Sequence, residues 1–337
     1  MDRFKDVFER KADQLVFVRI PDPAPPVTFV ADESYVSLSL VHGFLGRDAD
    51  WFTRHLPVVH LSSRFDVAGQ VATITKVVKH DDPGVWLNYP LTGIVPYRGG
   101  TIEMEAGMSV IREGNRVGAA IGTLADLSTL VGPPLSTSLT VARKLTQGIE
   151  GFLSEQDEVV LAIHDTFVAP RGGGENALAP GHLAVVGATQ KQLKPDELSV
   201  AEGCLQRTVD GHTAPLRGFD YMLFRVEAIR ERGDWKFPHF EALVRRAIDA
   251  HFASDPAAFK TFRNAALAEV LKSPDLISAD RFRGVRSIDD ELKRIVQMGI
   301  GFTAPSEVDL KDIVDRYAPS VEDPIATAPI YLEEVIE

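Results

Sequence analysis

The sequence predicts an α+β fold: an antiparallel β-sandwich-like body with an inserted helical pair and a C-terminal helical region. Short stretches that alternate between apolar and polar residues fill residues 14–112 and 157–230. Such alternation is typical of strands with one buried face. Over residues 115–153, and again from Pro238 onward, apolar residues recur at the spacing of an amphipathic helix.

The two strand-rich stretches are predicted to form one β body. Their clearest strand patterns are YVSLSLVHGF (35–44), LSVAEGCLQRTV (198–209) and YMLFRVEAI (221–229). Each stretch is short for a self-sufficient sandwich, and the helical pair between them is too apolar for a linker. We therefore expect one body, with a division into two domains near residue 155 as the alternative.

Four segments follow from these patterns. A β-rich body covers residues 1–230 and contains the helical hairpin 115–153. A helical region, 231–317, is expected to pack on the body. Its first helix is predicted to open at Pro238, because proline is favoured in the first helical turn. Residues 318–337 hold five acidic residues and no basic one, which predicts an acidic extended tail.

The first helix of the hairpin, residues 117–131, is unusual because small residues cover most of its surface. It can therefore lie against another surface on nearly every side, and two of its glycines are spaced to permit close backbone approach. We consider three roles: core packing, self-association or partner binding, and insertion of hairpin 117–153 into a bilayer. Charged residues on the second helix disfavour insertion. The predicted interaction residues are Gly118, Ile121, Gly122, Leu124 and Leu127.

Composition argues against several classes of function. A formal net charge of -12 disfavours a duplex-binding surface, so we expect no nucleic-acid partner. The sequence shows neither a secretory signal nor a long apolar span, which predicts a cytoplasmic protein. The single cysteine, Cys204, rules out an internal disulfide and a cysteine cluster for zinc. We predict that its thiol is buried and inert.

We expect no metal, nucleotide or organic cofactor. The histidines are too dispersed along the chain to chelate in pairs. The loop Gly172–Ala177 formally matches a dinucleotide fingerprint, but that fingerprint requires a helix to follow it. Pro180 and Gly181 follow instead and end any helix there.

Four residues are candidates for acid–base catalysis. Glu103 and Glu105 are two residues apart in a predicted strand, so their carboxylates share one face at roughly 6 to 7 Å. Glycosidases pair carboxylates at about this distance. His164 and Asp165 resemble an acid–base couple, but adjacent residues in a strand project to opposite faces. An enzyme would have to bring these four together from different strands.

The sequence leaves catalysis open and favours a non-catalytic class, because each motif fails in its context. We predict a soluble interaction protein that acts through contacts with a protein partner or with itself, as a regulated effector or adaptor. One alternative is a membrane-perturbing effector that releases hairpin 117–153. The other is a hydrolase of unrecognised type that uses the acidic and histidine residues on the strands.

Overall fold

The computed structural model describes residues 9, 12–47, 55–67, 70–79, 84–112, 158–167 and 177–297. The helical hairpin 115–153, the interaction residues predicted on it and the acidic tail 318–337 lie outside this part of the chain. The described strands are β1 (Val16–Pro21), β2 (Tyr35–Phe44), β3 (His55–Val67), β4 (Gln70–Lys79), β5 (Val85–Pro90), β6 (Val95–Pro96), β7 (Ile102–Arg112), β8 (Glu158–Phe167), β9 (Gly181–Val186), β10 (Leu198–Ala201), β11 (Cys204–Val209), β12 (His212–Pro215) and β13 (Tyr221–Ile229). The described helices are α1 (Pro238–Phe252), α2 (Pro256–Lys272) and α3 (Ser278–Gln297).

The strands form three antiparallel sheets. Sheet A has the order β1-β9-β13-β2-β5, with β6 also beside β2; sheet B has the order β4-β3-β7-β8; sheet C has the order β10-β11-β12. Strands from both strand-rich stretches pair with each other, since β2 lies beside β13 and β7 beside β8. The predicted α+β fold, with antiparallel sheets and a C-terminal helical region, is confirmed.

One buried cluster joins sheets A and B. On β2 the predicted apolar face, Val36, Leu38 and Leu40, is at most 1% exposed. These side chains belong to the same apolar cluster as Met104 of β7 and Ile163 of β8. Burying one such side chain stabilises a fold by roughly 1.5–3 kcal/mol, so this cluster accounts for the sandwich-like pairing of the sheets.

Sheet A is buried on its second face as well, where it meets sheet C. Tyr221 and Leu223 share this second cluster with Leu198 and Leu205. The prediction that β13 alternates between buried and exposed residues is therefore incomplete, because residues 221–224 are all buried. Sheet C covers the side that alternation would otherwise leave to water.

The stretch LSVAEGCLQRTV is a hairpin, not the single strand predicted from it. β10 and β11 pair from Leu198↔Arg207 to Ala201↔Cys204. The two residues between them, Glu202 and Gly203, have φ of 54° and 72°. A two-residue turn with positive φ at both positions matches the right-handed twist of the flanking strands, so the chain reverses there.

The chain divides into two compact units, residues 1–229 and 230–337. The packing of the helical region on the β body stays a prediction. In the second unit, α1 begins at Pro238 as predicted, and α2 is capped by Asp255, whose carboxylate accepts from the Ala258 amide at 2.9 Å. The three helices share a buried core. No helix in the described part of the chain has the length and apolarity needed to cross a bilayer.

Candidate functional site

Sheet B presents a polar face on the side opposite its core. Glu105 of β7 lies directly opposite His164 of β8 in the strand register. The Nδ1 atom of His164 is 3.0 Å from Oε1 of Glu105. The two side chains are only 22% and 13% exposed, so a half-buried carboxylate and imidazole form a contact pair.

Glu103 occupies the same face, two residues before Glu105. It lies opposite Arg64 of β3, and an oxygen of Glu103 is 3.6 Å from a guanidinium nitrogen of Arg64. Each carboxylate thus faces its own cationic or imidazole neighbour. A glycosidase site would instead need both carboxylates turned toward one substrate.

Asp165 points to the other side of sheet B. It accepts a hydrogen bond from Nε of Arg19 at 3.2 Å and a second, shorter one from Nη2 of the same side chain. Arg19 belongs to β1 of sheet A, and its guanidinium lies 4.9 Å from the centre of the Phe167 ring. The structure therefore brings Glu103, Glu105 and His164 onto one face and leaves Asp165 as a link between the two sheets.

This face does not form a nucleophilic triad. Ser62 lies opposite Glu105 on β3, is 3% exposed, and its hydroxyl finds no hydrogen-bond partner in the described structure. The carboxylate thus stands between the serine and His164. A triad requires the imidazole between them, where it can take the serine proton. Within the described ranges no three His, Cys, Asp or Glu residues are grouped to hold a metal ion.

A second polar contact lies at sheet A beside the only cysteine. The Tyr221 hydroxyl is 2.5 Å from Nδ1 of His42. Burial raises the pKa of Tyr221 and lowers the pKa of His42, so the tyrosine O–H donates to a neutral imidazole. Cys204 is partly exposed rather than buried as predicted. Tyr221 and His42 are 179 residues apart, so no sequence spacing could have indicated their contact.

The helical unit carries a groove between α1 and α3, which we call the α1–α3 groove. It encloses about 200 Å³ and is half open to solvent. Its floor is apolar, and its rim carries two acidic and two basic side chains. The floor residues are Trp235, Phe240, Val244, Ile248 and Ile288, and the rim residues are Lys236, Glu241, Arg245 and Glu291.

The rim contacts are weak enough to be displaced. Nζ of Lys236 is 3.2 Å from Oε2 of Glu291 and 5.7 Å from the centre of the Trp235 ring. The Lys236 and Glu291 side chains are 49% and 38% exposed. An ion pair this exposed contributes about 0–1 kcal/mol, so a ligand could take over either charge at little cost.

Gly284 of α3 determines where the floor lies. A Cβ at this position would be 2.9 Å from Cγ1 of Val270 and 3.2 Å from the Trp235 ring. Real Cβ atoms essentially never come as close as 2.9 Å and are seldom as close as 3.2 Å, so a side chain at residue 284 would force Val270 and Trp235 to shift.

Replacing Gly284 by leucine should therefore lower the free energy of unfolding by about 1–3 kcal/mol through overpacking. Urea denaturation followed by circular dichroism measures this. Gly233→Leu is the matched control, because no atom lies within 4 Å of a Cβ built there. Equal losses in the two variants would show that the space at Gly284 does not matter.

Sequence reasoning identified only part of this groove. The apolar spacing of α1 includes Phe240, Val244 and Ile248, but spacing alone does not distinguish a core position from the floor of a groove. Trp235 precedes α1 and Ile288 belongs to α3, so no spacing within one helix could have indicated that they line the same groove.

No family model, curated protein or solved structure matches the chain.

Proposed function

We propose that this chain is a non-catalytic interaction protein and that the α1–α3 groove receives an amphipathic helix of a protein partner. The observation that supports this proposal is the groove itself, which has an apolar floor open to solvent and charged side chains only at its rim. Helix-in-groove recognition uses this arrangement, because a helix can bury one apolar stripe and keep its polar side in water.

The side of α1 that lines the groove, here called the stripe, extends beyond the groove itself to Phe252. Ile248 is partly exposed, and Phe252, one turn further on the same side of the helix, is 53% exposed. From Glu241 to Phe252 the stripe covers twelve residues, or about 16 Å along the helix axis. A partner helix of about three turns would cover it, with apolar residues recurring at i, i+3, i+4 and i+7.

The rim favours a partner that carries both signs of charge. Lys236 and Arg245 oppose Glu241 and Glu291, so the formal charge of the four side chains cancels. A strongly basic or strongly acidic helix would meet like charges on part of the rim. Complementary placement of both signs contributes to specificity and register more than to affinity.

The test is selection of amphipathic helical peptides from a displayed library against the full chain. We expect enriched peptides to share the apolar spacing and to lose at least about 30-fold in affinity on Ile248→Glu, which puts a charge into the floor. Val209→Glu makes the same charge change at an apolar position of β11 that is 46% exposed, and it should leave binding unchanged. A selection that enriches nothing, or peptides that bind both variants alike, would refute the proposal.

A further inference from the structure

We infer that the partner helix is α1 of a second copy of this chain, so that two copies pair through their α1–α3 grooves. This inference rests on the proposed function, since it names the occupant of the same groove. On α1, the exposed side chain of Phe252 lies at one end of the stripe, and the apolar floor of the groove lies at the other end.

A two-fold interface requires a patch that complements itself. If two α1 helices run antiparallel and cross near Ala247, residue 252 of each comes level with residue 242 of the other. That level lies between Phe240 and Val244, the floor residues that α1 contributes from its first two turns. Phe252 of each copy would then cover the floor of the other, and the same contact would occur twice.

Charges on α1 match the same crossing. Arg245 and Asp249 are one turn apart on one flank of the stripe, and both are exposed. Neither forms an ion pair within the residues that the structure describes. In the antiparallel arrangement, Arg245 of each copy comes opposite the partner's Asp249, which gives two equivalent ion pairs. A pairing shifted by one turn would place like charges opposite each other and lose this match.

Sedimentation velocity of the full chain over a range of concentrations tests the pairing. We expect a species of twice the 36.9 kDa chain mass, and Phe252→Ser should raise the dimer dissociation constant about 30-fold or more. Phe252 is half exposed, so this change should leave the free energy of unfolding of the monomer nearly unaltered. Leu87→Ser removes a side chain of similar exposure, 50%, from the β body and should leave the dimer intact.

Charge reversal tests the register. Arg245→Asp and Asp249→Arg should each weaken the dimer by placing like charges together, and the double variant should restore it. A monomeric wild type, or a double variant no better than the single ones, would overturn the inference. If the wild type is monomeric while peptides still bind in an Ile248-dependent way, the proposed function stands and only its occupant is wrong. If the chain dimerises but neither Ile248→Glu nor Phe252→Ser affects it, the groove itself is not the interface.

Discussion

Replacing Asp289 by alanine is expected to lower the free energy of unfolding of the helical unit by about 3–5 kcal/mol. Oδ1 of Asp289 accepts hydrogen bonds from Nη2 and Nε of Arg263 at 2.7 and 3.1 Å. Both side chains are 3% exposed. Without the carboxylate, a guanidinium would remain buried with its charge uncompensated, and that desolvation cost dominates.

Chemical denaturation followed by circular dichroism measures this loss, and two controls separate burial from charge. Glu291→Ala removes the exposed pair with Lys236 and should cost no more than about 1 kcal/mol. The double change Arg263→Met and Asp289→Leu removes both buried charges, so it should recover most of the stability lost in Asp289→Ala. If Asp289→Ala is no less stable than Glu291→Ala, the expectation is wrong.

Lowering the pH from 7 to 4.5 is expected to reduce the free energy of unfolding through His60, by at most about 2–3 kcal/mol. Burial lowers the pKa of His60 from its usual 6.5 to about 3. Between these values the unfolded chain binds a proton that the native protein does not. This contribution is therefore complete above pH 6.5 and is lost as the pH falls toward 3. Burial also lowers the pKa values of His42 and His182, which act in the same direction.

Denaturation curves across this pH range provide the measurement. His60→Gln should flatten the pH dependence, whereas His212→Gln, at an exposed position of β12, should not. Hydrogen bonds from Arg225 and Arg232 lower the pKa values of Asp22 and Asp234, but their effect appears only below the usual carboxyl value of 3.8. A slope between pH 7 and 4.5 that is unchanged in His60→Gln would rule out the role of His60.

The same rules of local geometry explain which parts of the candidate site were predictable. Period-two alternation required Glu103 and Glu105 to share a face and His164 and Asp165 to separate, and the structure places them so. It could not reveal that Glu105 contacts His164, 59 residues away. Nor could it show that Arg19 binds Asp165, because that contact depends on which strand edges lie together.

In the helical unit, too, local features of the sequence were predictable and contacts between distant residues were not. The start of α1 at Pro238 followed from a residue whose fixed φ suits a first helical turn. The groove required Trp235 to lie against Gly284, and these residues are far apart in the chain, so only tertiary packing creates that contact. Helical spacing marked Val244 and Ile248 as apolar without telling a core position from the floor of an open groove.

By itself the sequence determined the fold class, the strand pattern of β2 and the start of α1. These depend on backbone preferences and on periodicities that act over a few residues. The tertiary structure decided which strands pair, that sheet C buries the second face of β13, and that an apolar stripe on α1 remains half open. These features depend on contacts between residues far apart in the chain, whose free energy is gained only when register and packing are complete.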